Sequence, residues 1–136
     1  MAYFSVKFAF MSANDKGVVK QETEQWLFVA ETYTEAESVA IDKIGVDFGD
    51  FEIKNIKPVS LSDVIGSDSD SFWLTKVQLI TINEKSMKEE KFTMNLLVRA
   101  DDIDNAVKLV KQYFDGGVSD YSIISVSKSG IVDFYK

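Results

Sequence analysis

Apolar and polar residues alternate over several stretches of this 136-residue chain, and in two further stretches the apolar residues recur at helical spacing. Alternation with a period of two is typical of a strand that buries one face. In chain order, the pattern predicts a strand, a turn, a second strand, a helix, a third strand and a short tail, and then the same six elements again. The first strand face comprises Phe4, Val6, Phe8 and Phe10, and the first helical stripe comprises Ala36, Val39, Ala40 and Ile44.

The two halves of the pattern align with each other along their whole length. A shift of 69 residues pairs Lys7 with Lys76, and a shift of 70, after a one-residue insertion near Arg99, pairs Ala30 with Ala100. The sequence therefore predicts an α+β fold of two tandem β-β-α-β repeats with pseudo-twofold symmetry, whose helices pack on mainly antiparallel sheet. The predicted repeats span residues 1–65 and 72–136, the small polar residues 66–71 form a linker, and the repeats share one core if their sheets join.

Capping signals mark where both helices begin. Thr34 and Glu37 have the spacing of a capping box, in which two side chains satisfy backbone N–H groups at a helix start. In the second half, Asp101, Asp102 and Asp104 place negative charge at the helix N-terminus, where it is favourable. We therefore expect both helices to start immediately after the second strand of their half.

The second strand of the first half gives rise to the functional hypothesis. We expect Leu27 and Val29 to face the helix, which would leave the intervening aromatic side chains on the other, open face of the sheet. Aromatic side chains beside lysines bind single-stranded nucleic acid by base stacking and phosphate contacts. The hypothetical nucleic-acid-binding residues are Tyr3, Lys7, Lys20, Trp26 and Phe28.

Two other interpretations of this face stay open. An apolar sheet face is commonly covered by another part of the same assembly, here the second repeat or the second subunit of a homodimer. The same face could also bind a peptide or a protein partner. The solvent exposure of Trp26 and Phe28 distinguishes these alternatives from base stacking.

Composition excludes several classes of chemistry. The chain has no cysteine and no histidine, which excludes disulfides, thiolate zinc sites and every mechanism that depends on an imidazole. Its formal charge of −7 disfavours a broad surface for double-stranded DNA, although it allows a local basic groove. No apolar stretch has the length of a signal peptide core or a membrane span, so we expect a cytoplasmic protein without membrane partners.

The acidic residues show no spacing typical of a metal site. Glu52 and Lys54, with Asp50 just upstream, resemble the acid–lysine set of metal-dependent nucleases, but they lie on one strand and its entry, and alternation alone explains them. Asp68 and Asp70 lack the glycine and glutamate of a calcium-binding loop. We therefore predict no catalytic residue, no metal and no cofactor, and we do not expect an enzyme.

Several segments resemble a family of uncharacterised small proteins from Bacteroidetes and their crAss-like phages, known only as a domain of unknown function. The resemblance covers nearly the whole chain and lies in YFSVK at 3–7, TEAE at 34–37, FEIKNIK at 51–57, WLTKV at 73–77, ITINEKS at 80–86 and LVRA at 97–100. It implies a phage or gut-bacterial origin and assigns no functional residue. The resulting expectation is a non-catalytic binding protein, most specifically for single-stranded DNA in phage replication, with a module that engages a host or viral protein as the alternative.

Overall fold

The computed structural model describes residues 2–117 and 120–136, and within them the chain forms eight strands and two helices. In chain order these are β1 (Ala2–Ala13), β2 (Val19–Ala30), α1 (Tyr33–Asp47), β3 (Phe51–Val59), β4 (Asp63–Gly66), β5 (Phe72–Ile82), β6 (Glu89–Arg99), α2 (Ile103–Phe114), β7 (Asp120–Lys128) and β8 (Ile131–Tyr135). The strands form two four-stranded sheets, in the orders β3-β1-β2-β8 and β4-β6-β5-β7. Four of the strand pairs are antiparallel, and the β2–β8 and β4–β6 pairs are parallel. The predicted α+β class with mainly antiparallel sheets is therefore confirmed.

The chain divides into two units whose ranges differ from the predicted repeats. Unit 1 comprises Met1–Ser60 and Gly130–Lys136, and unit 2 comprises Leu61–Ser129. The difference arises because β4 pairs with β6 in unit 2, whereas β8, at the end of the chain, pairs with β2 in unit 1. Each half thus contributes its terminal strand to the other half's sheet.

The segment predicted as a linker, residues 66–71, lies within unit 2. The Arg99 guanidinium donates to the Ser69 carbonyl, and the Ala100 amide donates to the Ser71 carbonyl over 3.1 Å. The Ser69 residue is itself buried. This segment therefore packs against the end of β6.

Both helices begin at a side-chain cap. The Thr32 hydroxyl accepts from the Glu35 amide at 3.1 Å, and the Glu35 carboxylate accepts from the Glu31 amide at the same distance. The capping residues therefore lie two positions before the predicted Thr34 and Glu37. At α2, Asp102 accepts from the Asn105 amide at 2.8 Å, as expected for an acidic residue at a helix start.

Each helix covers one face of its own sheet, and the two cores differ in composition. The core of unit 1 is rich in aromatic residues, with Phe8 and Trp26 in an edge-on contact of 5.2 Å between ring centroids. In unit 2 the buried residues of the core cluster are aliphatic, and aromatic side chains pack against them only partly buried. These buried residues are Val77, Leu96, Val98, Ala100, Ala106 and Val110. In unit 1 the sheet face opposite the helix carries polar side chains, including Ser5 and Lys7.

Candidate functional site

The five predicted binding residues do not lie together on one face of the sheet of unit 1. In an antiparallel pair, directly opposed residues project to the same side of the sheet. Trp26 lies opposite Val6 and Phe28 lies opposite Phe4, so both aromatic rings face α1. Tyr3 and Lys7 alternate with those residues along β1 and project to the other side.

Trp26 and Phe28 are core residues. Trp26 is 3% exposed and Phe28 is 0% exposed. The Phe28 ring stacks on Tyr135 with 5.6 Å between centroids, and the Trp26 indole N–H donates to a Glu24 carboxylate oxygen at 3.0 Å. These two rings therefore offer no surface on which a base could stack, and their predicted placement on an open face is wrong.

The physical reason for this error lies in the two hairpin turns. In the first turn the Asn14 amide donates to the Val18 carbonyl, whereas in the second the Asn83 amide donates to the Lys88 carbonyl, so the second turn is one residue longer. The extra residue thus lies in the turn and not near Arg99. The alignment of the two halves places the extra residue after the second strand instead of before it. This shift assigns the side chains of β2 to the wrong face of the sheet.

The two remaining predicted side chains are also placed apart from Lys7. Lys20 lies opposite Ser12 near the hairpin turn, five residues along β2 from Gln25, the partner of Lys7. At about 3.4 Å per residue, this separation along the strand is about 17 Å. Tyr3 is half-buried, and its ring lies 6.3 Å from that of Phe134. Lys7 and Lys20 are thus the exposed members of the predicted set, and Lys7 lies beside other polar side chains in a cavity.

Lys7 lines a cavity of about 190 Å³ on the sheet face opposite α1. We call this cavity the lysine pocket. It is lined by Ser5, Lys7, Gln25, Asn55 and Lys57. Three adjacent strands supply these side chains, because Lys7 lies between Gln25 of β2 and Asn55 of β3, while Lys57 lies opposite Ser5.

A β-bulge in β3 brings Asn55 and Lys57 to this face. Lys7 pairs with Asn55 and Phe8 pairs with Ile53, which leaves Lys54 as the extra residue. A bulge shifts the alternation of side chains by one position and redirects them. The sequence carries a signal for this, because the apolar residues Phe51, Ile53 and Ile56 are spaced by two and then by three.

The electrostatics of the lysine pocket differ from those of the chain as a whole. Its described lining contains two lysines and three neutral polar side chains, and no carboxylate. The whole chain has 15 basic and 22 acidic residues. Since Lys7 and Lys57 are exposed, the pocket is a local positive site on an acidic protein.

Two larger concavities flank α2 in unit 2, and both have mixed charge. One, of about 370 Å³, is lined by Arg99 and Lys108 but also by Asp68 and Asp101. The other, of about 500 Å³, is lined by two lysines and two aspartates. Because each concavity carries both positive and negative side chains, neither favours an anion over a cation. The lysine pocket, whose described charged groups are all positive, favours an anion.

Several acidic residues of the strands form local structural contacts. Lys54 forms an ion pair with Glu52 at 3.1 Å on the exposed edge strand. Asp63 and Asp133 each accept from the next backbone amide at 2.8 Å. Within residues 2–117 and 120–136, no three acidic side chains converge in a way that could hold a metal ion.

Comparisons with known proteins give a family without a described activity. No curated protein and no solved structure matches the chain. Among the described residues, no helix is both long enough and apolar enough to cross a membrane. The family model described as "Domain of unknown function (DUF4494)" matches residues 2–136, and the chain therefore belongs to this family.

Proposed function

We propose that this protein is a non-catalytic binding protein that holds an anionic ligand in the lysine pocket of unit 1, with single-stranded DNA as the ligand. One observation carries the proposal. Lys7 and Lys57 flank a polar cavity whose described lining has no acidic side chain, in a chain of formal charge −7. Lysines clustered without a counter-charge attract phosphate groups.

The proposed mode of binding differs from base stacking. Because Trp26 and Phe28 are buried, the DNA is held through its phosphates, and the bases remain outside the contact. Such binding is insensitive to base sequence and sensitive to salt. The net negative charge repels the rest of the strand, so affinity depends on this one local site.

Fluorescence anisotropy with a labelled oligonucleotide, measured over a range of salt concentrations, tests the proposal. Each phosphate contact on a single strand contributes about −0.7 to the slope of log affinity against log salt concentration, so two lysines give a slope of about −1.4. We expect Lys7→Gln or Lys57→Gln to reduce the slope to about −0.7.

Two matched variants serve as controls. Lys54→Gln removes the same charge from β3, outside the lysine pocket and beside Glu52. Lys20→Gln removes a lysine of the originally predicted set that lies far along the strand. Both should keep the wild-type slope, and an equal loss of affinity in all four variants would refute a localised site.

A protein partner is the second candidate function, and a different surface favours it. The outer end of the β5–β6 hairpin exposes Met87 by 77%, Ile82 by 63% and Phe92 by 51%. Phe92 lies opposite Leu79 and Ile82 opposite Glu89, so these apolar side chains project from both faces of the hairpin end. Exposed apolar side chains of this kind are typical of interaction sites. This surface would engage a host or viral protein, the kind of partner that the alternative interpretation of the sequence assigns to the apolar sheet face instead.

Pull-down from a host lysate, with and without nuclease treatment, discriminates between the two functions. A protein bound through the hairpin end should remain after nuclease treatment and be lost in Phe92→Ser. Val46→Ser, at an exposed position of α1, is the matched control and should retain it. Retention of the partner by Phe92→Ser would contradict the use of this surface.

Duplication and origin form a further part of the proposal. We infer that the two units descend from one duplicated β-β-α-β segment, because their sheets share one strand order and both carry a bulge after a lysine of the first strand. Alignment of further family members should then place the one-residue difference in the hairpin turn. Pseudo-twofold symmetry, a homodimer, a phage origin and a cytoplasmic location remain predictions, of which light scattering tests the homodimer.

A further inference from the structure

The floor of the lysine pocket is an ordered hydrogen-bonding arrangement. Ser5 is 2% exposed, and its hydroxyl accepts from the Gln25 side-chain amide at 2.5 Å. A hydroxyl can donate one hydrogen bond while it accepts others. Since Gln25 acts as the donor in this contact, the Ser5 proton is available for an acceptor in the pocket.

Gly130, just before the last strand, leaves room for the Gln25 side chain. A Cβ atom at Gly130 would lie 3.3 Å from the Gln25 amide oxygen, which is a tight contact. The amide oxygen therefore faces Gly130 while the amide nitrogen faces Ser5. The glycine thus leaves room for Gln25 to place its amide nitrogen against Ser5, and this contact leaves the Ser5 proton free to donate.

The rim supplies further donors. The ammonium groups of Lys7 and Lys57 can each donate three hydrogen bonds, and the Asn55 amide can donate two. Among the described lining residues, the charged groups are these two lysines, one from β1 and one from β3. The pocket is therefore rich in donors and matches a compact anion with several acceptor oxygens.

We infer that the lysine pocket is a site for the terminal phosphate of a phosphomonoester, such as a phosphorylated strand end. This inference rests on the proposed function and specifies its ligand. Two lysines balance a phosphomonoester that carries −1.5 to −2 charges at neutral pH, whereas an internal phosphodiester carries one charge. A terminal group can also enter a cavity of about 190 Å³ by itself, whereas an internal phosphate stays joined to the strand on both sides.

The test uses the whole 136-residue chain and three main probes, namely inorganic phosphate, an oligonucleotide with a terminal phosphate and the same oligonucleotide without it, with inorganic sulfate as a control. Calorimetry should show about tenfold tighter binding of the phosphorylated strand, the effect of one added charge-assisted contact. That preference should shrink from pH 7.5 to pH 5, because the second pKa of a phosphomonoester is about 6. Inorganic sulfate, which remains doubly charged over this range, should bind equally at both pH values.

Variants distinguish a specific phosphate site in the lysine pocket from general attraction between opposite charges. Lys57→Gln should lower the affinity for inorganic phosphate about tenfold, while Lys54→Gln leaves it unchanged. Ser5→Ala keeps both lysines and should reduce the preference for the phosphorylated strand without changing the salt slope. Gly130→Ala, which displaces Gln25, should have the same effect as Ser5→Ala.

The possible outcomes distinguish the two proposals. Equal binding of both oligonucleotides overturns the terminal-phosphate inference and leaves the proposed DNA-binding function standing. Binding of inorganic phosphate, lost in Lys57→Gln and without any binding of either oligonucleotide, supports the phosphate site and overturns single-stranded DNA as its ligand. Absence of binding by all three probes overturns both.

Discussion

Units 1 and 2 share one strand order but fill their cores with different side chains. At corresponding positions, unit 1 has Phe8 where unit 2 has Val77, and Trp26 where unit 2 has Leu96. The helices differ too, since α1 has 15 residues and α2 has 12. Phe48, which directly follows α1, packs on Phe8 at 5.2 Å between centroids. One strand order therefore accommodates a large aromatic core under a longer helix and a small aliphatic core under a shorter one.

The sheet faces opposite the helices differ in a way that bears on function. Both units have a lysine at the bulge, Lys7 in unit 1 and Lys76 in unit 2. The pair Ser5 and Lys57 of unit 1, however, corresponds to Leu74 and Ser127 of unit 2. Unit 2 thus lacks both the hydroxyl floor and the second charge, and we expect anion binding in unit 1 alone.

The largest expected difference between the units lies in core stability. Phe8→Ala should lower the free energy of unfolding by about 3–5 kcal/mol because a fully buried aromatic ring is lost. Val77→Ala, also at a fully buried position, removes two methyl groups and should cost about 1.6 kcal/mol before any cavity term. Urea unfolding followed by Trp26 fluorescence in unit 1 and Trp73 fluorescence in unit 2 measures both, and equal losses would contradict the unequal cores.

The next largest loss of stability is expected for a glycine in β4, the strand of the first half that pairs with β6 in unit 2. Gly66 has φ +88°, and a Cβ there would lie 2.1 Å from the Arg99 carbonyl oxygen. Gly66→Ala should therefore destabilise unit 2 by more than the 1–3 kcal/mol of the unfavourable backbone conformation alone. Gly17→Ala is the control, because Gly17 has φ +77° with open space around it and should show the backbone cost only. Equal unfolding midpoints for these variants would contradict the close docking of β4 on β6.

The helix caps give a smaller effect that should be alike in the two units. Thr32→Ala and Asp102→Ala each remove a side-chain acceptor at a helix start and should each cost about 1 kcal/mol. Amide hydrogen exchange in the first turn of each helix measures the local loss. A change confined to one helix would show that the two starts are not equivalent.

The smallest expected effect is a second, weak phosphate site introduced into unit 2, which tests the difference between the two sheet faces. The double variant Leu74→Ser with Ser127→Lys transfers the missing hydroxyl and charge to unit 2, next to Lys76. Calorimetry with inorganic phosphate should then give a stoichiometry approaching two, compared with one for the wild type. A stoichiometry of two in the wild type would refute the difference between the faces.

Local patterns predicted much of the fold. Alternation and helical spacing correctly predicted the α+β class, and the acidic cluster at Asp102 correctly marked the start of α2. The exchange of β4 and β8 was not predictable, because a short amphipathic strand such as residues 63–66 can pair with either sheet and nothing local selects one. The face of β2 was misassigned because its alternation fits either side, and only the length of the turn decides which side is buried.

The candidate site was less predictable than the fold. Lys7 was among the predicted residues, but its neighbours Asn55 and Lys57 reach the pocket only because of the bulge at Lys54. The irregular spacing of Phe51, Ile53 and Ile56 indicates that bulge. Side chains from three neighbouring strands line the cavity, and they meet only in one register of those strands. No single segment of the sequence specifies that register.

Amide chemical shifts during titration with a terminally phosphorylated oligonucleotide give the most direct test of where the ligand binds. We predict that the perturbed signals cluster at the side chains and backbone of Ser5, Gln25 and Asn55, while the Trp26 indole signal stays unchanged in the core. A shift of the Trp26 indole signal without change at the lysine pocket would contradict the assignment of the binding site.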